Sequence, residues 1–402
     1  MAAVSSHRLV DAAAIVGIGQ TAFDRHLPVS ETELAAEAVT AALVDAGIAP
    51  AEVDGLCSYT LERTDEVTLA ATIGAGEVTF FSQVGYGGGA GCAVVGQAAM
   101  AVASRQASVV VAWRARKRGA RASRPWAAAD QSAPTLAAQW TRPYGLLRPV
   151  DEVAMLARRY MHRFGARREH LGEVAVAVRQ HANRNPAAVM SSRTLTMEEY
   201  LAARWVSEPL CLFDNCLETD GALAVVVVPA SRAADCPHPP VYVHASAQGL
   251  PRRHRAMVDY FSEDPLTGPG WACAASLWSR SSFGPDDVDV VQLYDAFTPL
   301  VLLSLEAYGF CRRGEAPDFV ADGHLRLGGR LPANTSGGGL SEAYVHGFNL
   351  ITEGVRQLRG SSCSQVSGAR CCLVTSGEGV PTSALLLRGD GGRNEEQQRS
   401  GT

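Results

Sequence analysis

Pro50-Ala-Glu-Val-Asp54 and Pro285-Asp-Asp-Val-Asp289 share a proline, a valine and an aspartate at a constant offset. Each leads into a short apolar run, through Leu56 in the first case and from Val290 to Leu293 in the second. The surroundings repeat as well. Upstream of the first copy, Ala12 to Gly17 reads as a buried strand and Glu31 to Gly47 as a helix, with Leu34, Ala38, Ala41 and Ala42 forming its apolar stripe and Gly47 stopping it. Upstream of the second, Val241 to Ala247 reads as a strand and Trp271 to Ser282 as a helix. Downstream, Gly91 opens a helix of small residues to about Ser104 before the strand Val109 to Ala112. Gly347 opens its counterpart to about Leu358 before Cys371 to Val374. A strand–helix grammar used twice predicts two fused α/β halves. We place them at 1–235 and 240–389, followed by a disordered tail at 390–402 that is rich in Gly, Arg, Glu and Gln.

The first half carries an insertion at about 114–205. Arg114 to Pro149 is a loop by composition, and helices follow at Val150 to Phe164, Arg167 to Asn183 and Met197 to Arg204. Thr219-Asp-Gly-Ala222 then turns into the strand Leu223 to Val228.

Bulk properties narrow the function. The 402 residues are 47% hydrophobic and 19% charged with a formal net charge of -5, so nothing in the charge favours nucleic acid. No apolar run reaches the ~20 residues of a membrane span, and Met1 to Asp11 has no signal-peptide pattern; we expect a cytoplasmic protein. The ten cysteines include no CxxC pair, and most read as small buried apolar residues. There is no HExxH, and Val16-Gly-Ile-Gly-Gln-Thr21 lacks the third glycine of a dinucleotide turn, so neither a metal nor a redox cofactor is expected. Lys117 is the only lysine and sits in the run Arg114-Ala-Arg-Lys-Arg-Gly-Ala-Arg121, an exposed loop by its composition, which argues against imine catalysis. The basic stretch Arg114 to Arg124 reads as a solvated loop, with contact to CoA phosphates or to a partner protein as the alternatives.

Several motifs, in order, resemble the thiolase superfamily. Gly89-Ala-Gly-Cys-Ala-Val-Val-Gly-Gln-Ala-Ala-Met100, followed by Val109-Val-Val, is similar to the helix and strand after a thiolase nucleophile. Tyr294-Asp-Ala-Phe-Thr298 resembles the Asn-Glu-Ala-Phe segment, and Asn334-Thr-Ser-Gly-Gly-Gly339 the glycine-rich turn before Gly-His-Pro. Leu156-Ala-Arg-Arg-Tyr-Met161, Arg184-Asn-Pro186 and Thr219-Asp-Gly221 are similar to the sterol-carrier-protein branch. The resemblance runs from about Ala12 to Arg388. It implies two βαβαβαββ halves in a five-layer αβαβα core with a loop and helical insertion.

The departures from that pattern carry the functional expectation. The nucleophile position is Gly88, which has no side chain to acylate. The asparagine position is Tyr294 and the histidine position Tyr344. Cys92 lies inside the following helix and reads as packing; Cys371 and Cys372 need a register shift to reach the site. This pattern resembles the lipid-transfer-protein aldolases of bacterial steroid side-chain degradation. The resemblance implies retro-aldol cleavage of a steroid β-hydroxyacyl-CoA, of the 17-hydroxy-3-oxo-pregnene-carboxyl-CoA type, to a 17-ketosteroid (androstenedione type) and propionyl-CoA. No acyl-enzyme, Schiff base, metal or cofactor is needed, since the CoA thioester is the substrate.

A tyrosine serves as acid or base when its pKa is brought down from ~10. We therefore expect Tyr294 and Tyr344 to share the proton transfers, without assigning the steps between them. His346 is either a further hydrogen-bonding group or structural, and Asp295 fills the place of the family glutamate. Gly338, Gly339 and Gly377 lie in tight turns whose amides are candidates for the thioester carbonyl. The resemblance also implies a homodimer and a partner of the DUF35 type, an OB-fold and zinc-ribbon protein or domain of an acyl-CoA hydratase. Two alternatives stand beside the enzyme. One is a non-catalytic acyl-CoA-binding or scaffold subunit; the other is a degraded thiolase acting through Cys371 or Cys372.

Overall fold

The computed structural model describes residues 9–117, 138–252 and 262–390. Residues 118–137 of the expected loop and 391–402 of the expected tail lie outside the described residues.

Nine strands form one sheet. They are β1 (Ala13–Gln20), β2 (Gly55–Tyr59), β3 (Phe80–Val84), β4 (Val110–Arg116), β5 (Gly221–Pro229), β6 (Val241–Gly249), β7 (Val290–Gln292), β8 (Cys371–Ser376) and β9 (Thr382–Gly389). Their order, β3-β2-β4-β5-β1-β6-β9-β8-β7, mirrors about the junction of β1 and β6. On each side the first strand of the half pairs antiparallel with its last, the last antiparallel with a middle strand, and the middle parallel with the strand after the repeated Pro-x-x-Val-Asp. Only β3 has no full counterpart: a single parallel bridge between Val291 and Ala333 stands in its place, so the second half is one strand short of the expected βαβαβαββ order. The halves meet at two residue pairs, Ala14 with Tyr242 and Ile15 with Val241.

The structure explains why the repeated phrase is repeated. Asp54 accepts from the amides of Ser108 and Val109 at 2.9 and 2.8 Å, pinning the entry to β4. Asp289 accepts from Arg370 and Cys371 at 2.8 and 2.9 Å, pinning the entry to β8. Each aspartate satisfies amides at a strand start that the sheet ladder leaves unpaired.

Seven helices set the layers: α1 (Glu31–Ala46), α2 (Gly91–Ala103), α3 (Pro149–Phe164), α4 (Arg168–Ala182), α5 (Pro269–Trp278), α6 (Thr298–Ala307) and α7 (Phe348–Arg359). Helix α1 begins with a capping box between Ser30 and Glu33 and ends on Gly47 at φ 65°. It covers the outer face of β1, β4 and β5, and α5 covers β6 and β9. Helices α2 and α7 each touch strands of both halves and so form the central layer. The two halves of the sheet thus lie on either side of α2 and α7, with α1 and α5 outside, which is the layer order of the expected five-layer core. Side chains alternate as a two-sided sheet requires. Ala14, Val16, Val111 and Val226 point to α1, while Ala13, Ile15, Ala112 and Val225 point to the central helices. Gly17 and Gly19 let α1 sit close: a Cβ on either would lie 2.2 or 2.1 Å from a carbonyl oxygen of that helix.

The insertion has a structural task. Near the end of α4, Arg179 donates to Ser341 at 2.9 Å. His181 lies 3.0 Å from the carbonyl of Ala333, and Asn185 donates to the carbonyl of Ser336 at 3.0 Å. The insertion thus buttresses the turn Asn334–Glu342 from behind.

Candidate active site

The site forms where three segments converge between the halves. The first is the glycine turn Gly87–Gly89 leading into α2. The second follows β7. Tyr294 leaves that strand with its amide donating to Thr375 Oγ1 on β8 at 2.9 Å. Just before it, the Asn334 side chain holds both the amide and the carbonyl of Leu293, at 2.7 and 2.8 Å. The third runs from the π-helical turn Gly338–Glu342 to α7 and carries Tyr344, whose amide donates to Thr219 Oγ1 at 2.9 Å.

Tyr294 and Tyr344 are 5% and 2% exposed, and their hydroxyls are hydrogen-bonded at 2.5 Å. The Tyr294 ring fills a slot between two glycines. A Cβ at Gly88 would lie 1.8 Å from the Tyr294 hydroxyl, and one at Gly347 would lie 2.9 Å from its ring. The phenol therefore stands in the space that a side chain at position 88 would occupy. Burial, and then the neighbouring Tyr344, push the Tyr294 pKa well above its ordinary value. This departs from the expectation of a lowered pKa: no neighbouring charge brings it down, so Tyr294 stays protonated, and either phenol can donate to the other.

His346 is also brought in. It is buried, with φ 52°, and its ring meets Tyr344 edge-on at 5.6 Å between centroids and stacks on Tyr59 at 6.1 Å. Its Nδ1 accepts from Arg114 Nε at 3.3 Å, and the Arg116 guanidinium lies against the same ring. Asp295 is fastened to the glycine turn. Its carboxylate accepts from the amides of Gly339 and Leu340 at 2.7 and 3.3 Å. Burial raises its pKa to about 6, with the Gly339 amide holding it back. Asp295 thus fastens the glycine turn, and the amide of Gly339 is already engaged by it. A Cβ at Gly338 would meet the same carboxylate at 2.2 Å, so this turn is glycine-rich because Asp295 is packed into it. Gly377, at φ 79°, lies against the other glycine turn, where its Cβ would fall 2.8 Å from Gly89 Cα.

The three cysteines weighed for the chemistry are packed into the fold. Cys92 is buried in α2, hydrogen-bonded to Ser376 at 3.2 Å, with its thiol pushed up to about 12 by burial. Cys371 and Cys372 are buried in β8 with raised pKa values, the second packed toward Gly354 of α7. Lys117 donates to the carbonyl oxygens of Leu27 and Val29, far from an imine-forming environment.

Sequence reasoning missed Arg114. Far from being part of a solvated loop, it is the fifth residue of β4, 2% exposed, and ion-paired with Glu62 at 2.8 Å. Arg116 ends the strand with its guanidinium turned to His346. Strand periodicity held the signal: Arg114 follows Val110 and Ala112 on the face that looks at the central helices. Residues 118–124 of the basic stretch lie outside the described residues. Among the described residues, no three His, Cys, Asp or Glu side chains gather where a metal ion could be held.

With the geometry in view, comparison with known proteins adds the family. The model of the thiolase C-terminal domain-like family matches residues 260–387. A steroid side-chain-cleaving aldolase of Thermomonospora curvata is 48% identical over 95% of this chain and 99% of its own. A 17-hydroxy-3-oxo-4-pregnene-20-carboxyl-CoA lyase of Mycobacterium tuberculosis is 49% identical over 93% of this chain and 98% of its own. A solved structure described as an Ltp2-ChsH2(DUF35) aldolase superposes with a TM-score of 0.92 at 48% identity, covering 96% of this chain and 99% of that one.

Proposed function

The chain belongs to the thiolase-fold family of steroid side-chain-cleaving aldolases and is a carbon–carbon lyase, and we propose that it splits a steroid β-hydroxyacyl-CoA at its phenol pair, releasing a 17-ketosteroid and propionyl-CoA. The observation that carries this reading is the place of the Tyr294 hydroxyl, 1.8 Å from where a Cβ on Gly88 would be. A proton-transfer group fills the space of an acyl-accepting one.

A protonated, hydrogen-bonded pair suits a relay better than a free base. The β-hydroxyl gives its proton to one phenol oxygen as the second phenol receives that phenol's own proton. The second phenol delivers its proton to Cα. The Cα–Cβ bonding electrons pass onto Cα and the thioester carbonyl and end in the new C–H bond, while the β-oxygen becomes the ketone. The pair finishes as it began, and no net base is consumed. Each positioned acid–base group contributes about 10²–10⁴-fold in rate. We keep the amides of Gly338 and Gly377 as the candidate donors to the thioester carbonyl, since the Gly339 amide already donates to Asp295.

We extend to this chain the association with a DUF35 domain that the matched aldolase's name records. A homodimer is supported by β3, an edge strand of sequence Phe-Phe-Ser-Gln-Val without charge, in which Phe81 is 70% exposed. No helix among the described residues is long and apolar enough to cross a membrane. The direct test is to give the protein a 17-hydroxylated steroid β-hydroxyacyl-CoA, with and without a DUF35 partner, and weigh the products. A 17-ketosteroid with propionyl-CoA is expected. Intact substrate under both conditions, despite binding, would return the chain to a scaffold role.

A further inference from the structure

Arg114 sits inside the fold with its side chain 3% exposed, opposite a Glu62 side chain of 0% exposure. Its Nη1, its Nε and one face of its guanidinium are all engaged. Nη1 donates to Glu62 Oε2 at 2.8 Å and to the Leu61 carbonyl at 3.3 Å. Nε donates to His346 Nδ1 at 3.3 Å. The central carbon lies 5.2 Å over the ring of Tyr59, the same ring that stacks on His346. Glu62 is itself fixed by the Ala115 amide at 2.8 Å.

A buried ion pair is weak evidence for stability, because desolvating two charges offsets most of their attraction. Its value lies in geometry: a planar fork held at one end presents its other donor at a fixed angle. What this one presents its donor to is a residue in an unfavourable backbone conformation. His346 at φ 52° lies in the left-handed region, which is unfavourable for a non-glycine residue and persists only where the surroundings impose it. The His346 ring in turn forms the wall against which Tyr344 packs edge-on.

We propose that Arg114, locked by Glu62, is a positioning residue for the cleavage: it fixes the His346 imidazole, which holds the Tyr344 hydroxyl on that of Tyr294. The inference rests on the phenol pair being the reaction centre. Arg114 touches neither phenol, so it acts on where the relay stands rather than on the proton itself. Misplacing reacting groups by about 1 Å lowers a rate by about 10²-fold, which is the effect to look for.

Arg114→Lys is the decisive variant. It keeps a cation opposite Glu62 but loses the Nε donor to His346. The expected result is a melting temperature near wild type, kcat about 10²-fold lower, and KM within about threefold. In protein labelled with ¹⁵N-histidine, the His346 Nδ1 resonance, identified by its absence from His346→Asn, should shift. Should Arg114→Lys fail to fold, Arg114→Gln combined with Glu62→Gln removes both charges together, a replacement buried pairs tolerate; the same loss of kcat is expected. Wild-type turnover in either folded variant would overturn the proposal, as would an unmoved His346 resonance. If wild-type protein with its partner cleaves nothing, the retro-aldol reading fails instead, and the ¹⁵N shift still reports on the contact by itself.

Discussion

Two turns feed the two central helices, and they have been treated in opposite ways. Before α2 runs Tyr86-Gly-Gly-Gly-Ala90; before α7 runs Ala343-Tyr-Val-His-Gly347. Both have a non-glycine residue in the left-handed region followed by a left-handed glycine: Tyr86 at φ 72° then Gly87 at 52°, and His346 at φ 52° then Gly347 at 77°. The backbone device is the same, but the side chains differ. Tyr86 is 65% exposed and its three following glycines offer nothing to the site, whereas Tyr344 and His346 are buried in it. One turn has been emptied and the other filled, and Tyr294 reaches across from β7 into the space left empty. The pairing teaches that chemistry moves between halves of a duplicated fold by exchanging volume. A side chain can be gained on one turn only where the facing turn gives up its own.

The largest effect should come from restoring volume to the emptied turn. Gly88→Ala places a methyl group 1.8 Å from the Tyr294 hydroxyl, so the phenol must leave its slot. Turnover should fall by about 10⁴-fold, the full contribution of an acid–base group. Overpacking should also lower stability by about 1–3 kcal/mol. Adding Tyr294→Ala to Gly88→Ala should return most of that stability and none of the activity, as read by thermal melting beside the product assay. Wild-type turnover in Gly88→Ala would mean that the two turns are not coupled through Tyr294.

Next in size are the hydroxyls themselves. Tyr294→Phe and Tyr344→Phe keep the rings in place and break the 2.5 Å contact from either side. A relay through both oxygens fails at the same step whichever is removed, so both should lose about 10²–10³-fold in kcat, and by similar factors. A large loss in one with a small loss in the other would assign the chemistry to a single phenol and end the relay.

Smaller still is the matching change on the filled turn. Gly347→Ala asks a Cβ to accept φ 77° and to sit 2.9 Å from the Tyr294 ring. The left-handed region costs alanine roughly 1 kcal/mol, and displacing the ring adds to it. A fall in stability with a loss of about tenfold in turnover is expected, well short of Gly88→Ala because the contact is to the ring edge and not to the hydroxyl. Equal losses from the two variants would say that the slot has no preferred side.

The comparison also marks what the sequence could convey. The repeated Pro-x-x-Val-Asp stood out because each aspartate caps a strand entry, a local task with a local pattern. Helix α6 was illegible for the opposite reason. Thr-Pro-Leu-Val-Leu-Leu-Ser-Leu-Glu-Ala is buried on every side, so no apolar stripe distinguishes it. Strand β9 was missed beside an apparently disordered tail, although Leu385 to Leu387 lie in the core. In the site, the two tyrosines were found through their register in family motifs. Arg114 was hidden in a run of arginines whose composition reads as surface, and only its alternation with Val110 and Ala112 betrayed the inward direction. The role of Asp295 as the fastening of the glycine turn depends on a contact across 44 residues of chain, which no local pattern encodes.

The filled turn rests on an acid with no counterpart in the emptied one, and this gives the smallest and slowest-varying effect. Glu342 ends the π-helical turn and is fully enclosed, accepting from Asn185 at 3.0 Å, Ser336 at 2.6 Å and Asn349 at 2.8 Å. Burial raises its pKa to about 7 against an ordinary value near 4.5, with Arg356 and these donors holding it back. The folded chain therefore binds this proton more tightly than the unfolded chain does. The stability it contributes is complete below about pH 4.5 and is lost as pH rises through about 7, by on the order of 1–3 kcal/mol. Melting temperature should decline between pH 5 and 8, and Glu342→Gln, which cannot ionise, should flatten that decline whatever its own offset. Glu378, raised to about 7 by burial near the start of α5, adds a slope of the same sign that Glu342→Gln leaves in place. His181, lowered to about 4 by burial, adds a slope of the opposite sign that the variant also leaves in place. A Glu342→Gln curve with the same slope as wild type would mean that Glu342 is ionised in the fold, and that the turn is held by a carboxylate at full charge.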